Sequence, residues 1–589
     1  MDSDHFYRKT WDKAFALKKE DKFIDFKIIL SDGTEYGIHK MVLLTRSKKM
    51  LKVLEDNPRL TSIEFPKEFD PELSKTVLDY LYTAKINLTL QNVFKYLDIF
   101  YYLDAIDILE LDIHFYRKFI TTDNILSFKK MISSKSNPHI NVIPELELLV
   151  DSYILKHMKE LYIHSSFKKL EIEDLEYYLE SDNLNFEETL LIKLIDDWVN
   201  IDDAMIREIR CEESERLYSK IRFALFEENN LLALRDEHFI ISHKESIKTL
   251  IDEAIEYRKH PNTQHIKQTD LTKFRVSEEN DFIGGGINIE NKKLVKNIYK
   301  LESNKFIKNS IEFTLGTAFS QVVIKDNYIY NLGGYEVNSE EKANLPTNKV
   351  RVFNYQLKAW VELSPMFSSK IKFTATLIGD SIYVIGGEDE NRNHSNTVER
   401  YDIRKNMWSV ETKLPFTLSS HTAELYGGMI YLFGGIKNEN EISADVLKYN
   451  PKNKTITTVC TMSHSRHGHN NFRMNTSEVA LLRGWDGGID GSQFQKYVTA
   501  FRFGSEDSYD AAYPLGFKTN DSVIFNTEKG LLFLDGWNFK LNQDNSKSYL
   551  VDLDFENKIK FKNGPVQPFN ASGSAYFRLK LPYSYDVKK

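Results

Sequence analysis

Only two cysteines, Cys211 and Cys460, occur in 589 residues, so neither a disulfide framework nor a four-cysteine zinc site can be built. No apolar run approaches the roughly 18 residues of a membrane-spanning helix. The opening residues 1–11 mix charge with aromatics and lack the apolar core of a signal peptide. A reducing intracellular compartment, cytoplasm or nucleus, is therefore expected, with no membrane contact. Positive charge is also short. Lys and Arg number 78 against 86 Asp and Glu, a formal charge of -8, so no overall cationic field is available to hold a phosphate backbone. Nucleic acid is not an expected partner.

What is abundant is material for packed cores: 41% hydrophobic and 13% aromatic residues, with 28% charged. A disordered or collagen-like chain is excluded. At roughly 150 residues per domain the length corresponds to about four domain-equivalents, fewer where one is a large β-fold.

The second half repeats itself. A short apolar run ending in glycine recurs at Ile283-Gly284-Gly285, Leu332-Gly333-Gly334, Ile385-Gly386-Gly387 and Phe433-Gly434-Gly435. Two eroded copies follow, Leu482-Arg483-Gly484 and Leu534-Asp535-Gly536, and the last glycines step by 49, 53, 48, 49 and 52 residues. A period near 50 marks a propeller array, and six copies fit one ring. Alternating strand residues precede the copies, as in Ser381-Ile382-Tyr383-Val384-Ile385. After four of them an aromatic residue is followed seven positions later by a bulky one: Tyr299 and Phe306, Phe353 and Trp360, Tyr401 and Trp408, Tyr449 and Ile456. That spacing suits a strand, a tight turn and a return strand. The double glycine with this spacing, and Leu363-Ser364-Pro365-Met366 after Trp360, resembles the Kelch repeat, which implies that these residues pack blades and do no chemistry. Strand-like stretches precede the second to sixth copies, but the first has only polar sequence ahead of it. Gly573-Ser574-Ala575-Tyr576-Phe577 is expected to return from the far end and complete the first blade beside Ile283 to Gly285.

In the first half, Phe26, Ile28 and Leu30 alternate, Asp32-Gly33 signals a hairpin, and a helix is expected with Leu43, Ser47, Met50, Leu51 and Leu54 on one face. Asp70 can cap the next helix, with Pro71 at its first position and Leu73, Val77, Leu78, Leu81 and Tyr82 buried. With Asp25-Phe26, His39-Lys40 and Leu81-Tyr82-Thr83, this order resembles a BTB domain over residues 1–118. His39, alone at a strand-to-helix junction, reads as a hydrogen-bonded structural residue. Residues 119–262 turn helical: Asn185 with Glu188 makes a start like a capping box, and Leu190, Leu191, Leu194, Ile195 and Trp198 form an apolar face. Ser181 to Asn185, Trp198-Val199 and Ile221-Arg222-Phe223 resemble the BACK domain, with Cys211 in a charged region between helices. Residues 263–280 read as a polar linker, and residues 281–589 as the propeller. The fold class expected is an α/β BTB domain, an all-α BACK domain and an all-β six-bladed Kelch propeller.

Gly284-Gly285-Gly286 would need a following helix to cradle phosphate, and no helical pattern follows. His464, His467 and His469 form a dense histidine cluster, but the sequence places no acidic or cysteine partner beside them. No metal, cofactor or catalytic residue is expected.

The BTB-BACK-Kelch resemblance implies a substrate-receptor adaptor, not an enzyme: BTB dimerises and docks on the cullin of a ubiquitin ligase, and the propeller holds the target protein. The alternative is a Kelch scaffold without ligase activity that organises actin or other cytoskeletal partners. The loop before Ile63-Glu64-Phe65 is shorter than usual for cullin-binding members, and Val53-Leu54-Glu55 is a loose counterpart of their hydrophobic-x-Glu contact. Phe6, Trp11, Phe15 and Leu17 provide apolar surface for a homodimer. Partner contacts are expected from residues just past the glycine strands and outside the packing register: Tyr335, Glu388, Arg466, Trp485 and Trp537. Blade packing is an equal reading for each Trp.

Overall fold

The computed structural model describes residues 3–86, 93–105, 120–133, 144–275, 279–288, 291–338, 343–355, 357–438, 441–486, 498–511, 523–527, 530–534, 548–552, 560–565 and 571–581. They form two compact units, Met1–Tyr178 and Leu179–Lys589.

In the first unit, strands Phe26–Ile29 and Glu35–Ile38 pair as the expected hairpin, and Ser62–Glu64 joins parallel to the first. The single helix expected after the hairpin is two. With α1 at Ser3–Lys19, α2 runs Lys40–Arg46 and α3 Lys48–Asp56. Ser47 between them is extended, and its hydroxyl accepts the Met50 N–H at 3.1 Å while donating to the Leu103 carbonyl. A serine able to cap and to reach a distant carbonyl outweighs the continuous apolar period. Asp70 caps α4, Pro71–Thr83, as expected, and Val77, Leu78, Leu81 and Tyr82 are buried, with Leu73 half-buried. Trp11, Phe15 and Leu17 on α1 are half-buried; Phe15 stands 5.5 Å from the Tyr82 ring and Lys18 lies 3.9 Å over Tyr36. The Phe6 side chain lies outside the described residues. His39 bonds the Tyr82 hydroxyl through Nδ1 (2.8 Å) and the Lys22 carbonyl through Nε2 (3.0 Å), the structural role expected. Helices α5 (Val93–Leu103), α6 (Ile125–Ser133), α7 (Pro144–Ile163) and α8 (Ile172–Glu180) follow.

The second unit opens with α9 (Glu188–Val199), α10 (Ala204–Tyr218), α11 (Glu228–Glu237) and α12 (Glu245–Arg258). Cys211 lies within α10 and not between helices. Leu191, Leu194, Ile195 and Trp198 are buried, whereas Leu190 is exposed. Glu188 does not close a capping box: the cap position is Glu187, and the Glu188 carboxylate turns inward to accept the Arg275 Nε at 2.6 Å and the Arg222 amide at 2.7 Å. The stretch read as a polar linker is therefore ordered through Arg275. Its 3-10 turn Pro261–Ile266 places Gln264 against Asn354 (3.2 Å) and His265 between Tyr328 and Tyr330, and Phe274 meets Tyr355 at 4.9 Å. Gln264 and Arg275 escape a hydrophobicity pattern because each is buried in a hydrogen-bonded pair.

Six four-stranded sheets then make the blades. The strand Ala575–Leu579 pairs antiparallel with Asn280–Gly284, Ala575 opposite Gly284, so the C-terminal strand does complete the first blade. Ile283 packs with Leu532 and Leu534 of the sixth blade, which closes the ring. The glycine register of the first copy shifts by one. The strand includes Gly284, and the pair in the left-handed region is Gly285-Gly286, matching Gly333-Gly334. Phe353 opposes Trp360, Tyr401 opposes Trp408 and Tyr449 opposes Ile456 as expected, but Tyr299 opposes Lys308 while Phe306 opposes Leu301. That hairpin turns through two residues, Ser303 and Asn304, both at positive φ, so its register differs from the longer turns.

Candidate functional site

The innermost strands of the blades surround a central cavity of about 670 Å³. Its wall is polar. Thr374 Oγ1 meets His421 Nε2 at 3.0 Å, and Thr422 Oγ1 meets His469 Nε2 at 2.9 Å. Burial pulls the His421 imidazole down to about 3 and holds His469 well below its ordinary value, so both are neutral at physiological pH.

At one mouth the same local conformation recurs around the ring. Phe319, Lys372, Ser420, Gly468 and Gly573 all stand at φ between 53 and 70° immediately ahead of the innermost strands. Backbone bonds tie neighbours together: Ser420 N–H to Lys372 O at 2.8 Å, Gly468 N–H to Ser420 O at 3.0 Å, and Phe319 N–H to Gly573 O at 2.8 Å. Each non-glycine in this region costs about 1–2 kcal/mol, and such strain gathers where a site holds side chains in fixed directions. Phe319 and Lys372 are the bulky members.

Three of the expected contact residues gather here, each one position past a glycine motif. Tyr335 is half-buried with its ring 6.1 Å from Phe319, and burial raises its phenol above the ordinary value. Glu388 is only 8% exposed, its carboxylate accepting the Lys372 Nζ at 3.0 Å. Trp485 exchanges two 3.0 Å backbone bonds with His467, and their rings meet edge to face at 5.3 Å. Burial, with the nearby Lys372 charge, brings His467 down to about 4. Lys372 also weighs on Tyr335, so it is the charged centre of the group. Trp537 lies outside the described residues.

Arg466 requires a correction. It is 0% exposed, donating from Nη1 to the Leu481 carbonyl at 3.1 Å and from Nη2 to Thr499 Oγ1 at 2.5 Å. Two residues before the left-handed position, its side chain faces the next blade; Lys370 does the same in an earlier repeat, 3.0 Å from Glu399 and donating to Gly386 O. Arg466 joins blades and does not face a partner. Desolvation lowers its guanidinium to about 10.

His464 lies 3.3 Å from Asp510, His467 packs on Trp485 and His469 on Thr422, so the three rings of the histidine cluster have different neighbours. Among the described residues no group of three or more His, Cys, Asp or Glu is placed to hold a metal ion. Nor is any described helix long and apolar enough to cross a membrane. Sequence reasoning missed Phe319 and Lys372, and read His467 only as part of a histidine cluster. Their signal was present in the steps from 319 to 372, 420 and 468, which copy the repeat period.

Ring and mouth together define a closed six-bladed propeller carrying a cluster of aromatic and charged side chains at one opening. Comparison with known proteins adds the part of the chain ahead of the ring. The KLHDC2/KLHL20/DRC7 Kelch-repeats domain matches residues 282–495, the BTB/POZ domain residues 15–118, and the domain described as BTB And C-terminal Kelch residues 138–236. Kelch-like protein 26 of Danio rerio is 23% identical over 403 residues, 67% of this chain and 64% of that protein. Kelch-like protein 26 of Homo sapiens is 22% identical, covering 68% and 64%, and Kelch-like protein 36 of Mus musculus is 23% identical, covering 58% and 54%. The match thus spans about 64% of the length of the first of these relatives. The chain belongs to the BTB-BACK-Kelch family.

Proposed function

We propose that the chain is a substrate-receptor adaptor of a cullin-RING ubiquitin ligase: the BTB part docks the cullin and forms a homodimer, and the propeller mouth captures the target. The observation that carries the reading is the grouping of Phe319, Tyr335, Lys372, Glu388, His467 and Trp485 at one opening of the ring. Aromatics and desolvated charges are the side chains that anchor protein partners. Family membership supports the same reading.

Affinity purification of the full chain with mass spectrometry tests it. A cullin and a target protein should co-purify, and Lys372→Glu should lose the target while keeping the cullin. Filament co-sedimentation with no cullin recovered would instead establish the cytoskeletal scaffold. Light scattering on the full chain should give twice the 68.8 kDa monomer mass; a monomer at micromolar concentration would remove the dimer from the proposal.

A further inference from the structure

A second surface lies in the helical part of the same unit, away from the mouth residues. Helix α9 presents Thr189, Ile192, Lys193 and Asp196, the spacing i, i+3, i+4, i+7 that marks one helix face. Helix α11 presents the same series, Asn230, Ala233, Leu234 and Glu237, across a groove of about 410 Å³. The helices run in the same direction. Asp196 and His238 meet at 3.1 Å at one end, and Thr189 and Asn230 share the other, where they also line an adjoining cavity of about 510 Å³. Ile192 and Phe226 are buried at the groove, whereas Lys193, Ala233 and Glu237 are exposed. Its length is about 10 Å, two helical turns. Leu190, Leu232 and Phe239 are further exposed apolar side chains on the same two helices and the turn after them.

The charge around it is predominantly negative, although Lys193 also lines the groove. With their cap residues, α9 and α11 carry Glu187, Glu188, Asp196, Asp197, Glu227, Glu228, Asp236 and Glu237, against Lys193 and Arg235 alone. Glu188 is neutralised internally by Arg275, but Glu187, Glu227, Glu228 and Glu237 are exposed. An apolar seam two turns long between parallel helices, rimmed by carboxylates, has the complement of a helix with an apolar stripe and a basic flank.

We propose that this groove docks a basic amphipathic helix of a partner protein, with two apolar residues one turn apart entering between α9 and α11 and a Lys or Arg meeting Glu237. The site is independent of the adaptor reading and of the ring mouth.

A phage library of random peptides of about 14 residues, roughly four helical turns, selected on the full chain and counter-selected on Ala233→Trp, tests it. Ala233 is an exposed helix position, so the variant should keep its melting temperature while the new ring fills the groove. Peptides that bind the native chain and lose Ala233→Trp should carry apolar residues at i and i+3 or i+4 with Lys or Arg beside them. Their affinity, read by fluorescence anisotropy, should fall about tenfold in Glu237→Lys and weaken in high salt. The proposal is overturned if no peptide separates the two proteins, if those that do are acidic or lack helical spacing, or if Glu237→Lys leaves their affinity unchanged.

Discussion

Arg275 and Glu188 are 87 positions apart, and both are almost completely buried. Removing one member of such a pair strands a charge without solvent, so Arg275→Ala should cost about 3–5 kcal/mol, seen as a lower urea midpoint for the second unit. The double variant Glu188→Leu with Arg275→Met should recover most of that loss; equal damage from single and double changes would show that the charges matter only as packing volume. Histidines give the matching pH argument. Burial lowers His265 and His467 to about 4 and His421 to about 3, so the unfolded chain, with ordinary imidazoles near 6.5, binds more protons between these limits. Stability should hold above pH 6.5 and decline as pH falls towards 4. Among the described residues His265 Nε2 has no hydrogen-bond partner, so His265→Phe should flatten the melting-temperature slope from pH 7 to 5 with little change at pH 7. An unchanged slope would place the proton uptake elsewhere.

Among the local elements, the glycine turns give the sharpest contrast. Gly386 sits at φ +65°, and a Cβ there would lie 2.2 Å from the Leu418 carbonyl of the next blade, whereas Gly379 at φ +58° has nothing within 4 Å. Gly386→Ala should therefore lose at least about 3 kcal/mol, and Gly379→Ala only the intrinsic left-handed penalty of about 1 kcal/mol. Similar melting curves for the two variants would mean that the blades can slide apart. Helix boundaries behave differently. The apolar spacing through Leu43, Met50 and Leu54 was readable, but the break at Ser47 depends on a bond to Leu103, 56 residues away, which no local window contains.

Across the whole propeller, closure depends on one strand. Phe577 is buried and stacked on Phe282 at 5.7 Å, within five consecutive residue pairs between Ala575–Leu579 and Asn280–Gly284. Deleting residues 570–589 should expose that strand edge and abolish cooperative melting of the ring, with aggregation visible by light scattering. A truncated chain that melts like the full one would show that the sixth and first blades hold without it.

The repeat period, the missing first strand and its C-terminal replacement were legible from residue order alone, because each blade buries its own hairpins and alternation with glycine spacing records that local burial. The positions of Tyr335, Glu388 and Trp485, each one residue past a glycine motif, likewise follow from register. The direction of Arg466, the ion pair of Glu188 with Arg275, and the collection of Phe319, Lys372 and His467 at one mouth were decided only by tertiary structure. Whether a charged side chain faces solvent or the neighbouring blade is a choice between a hydrated and a paired state, and the partner that settles it comes from another repeat or another helix.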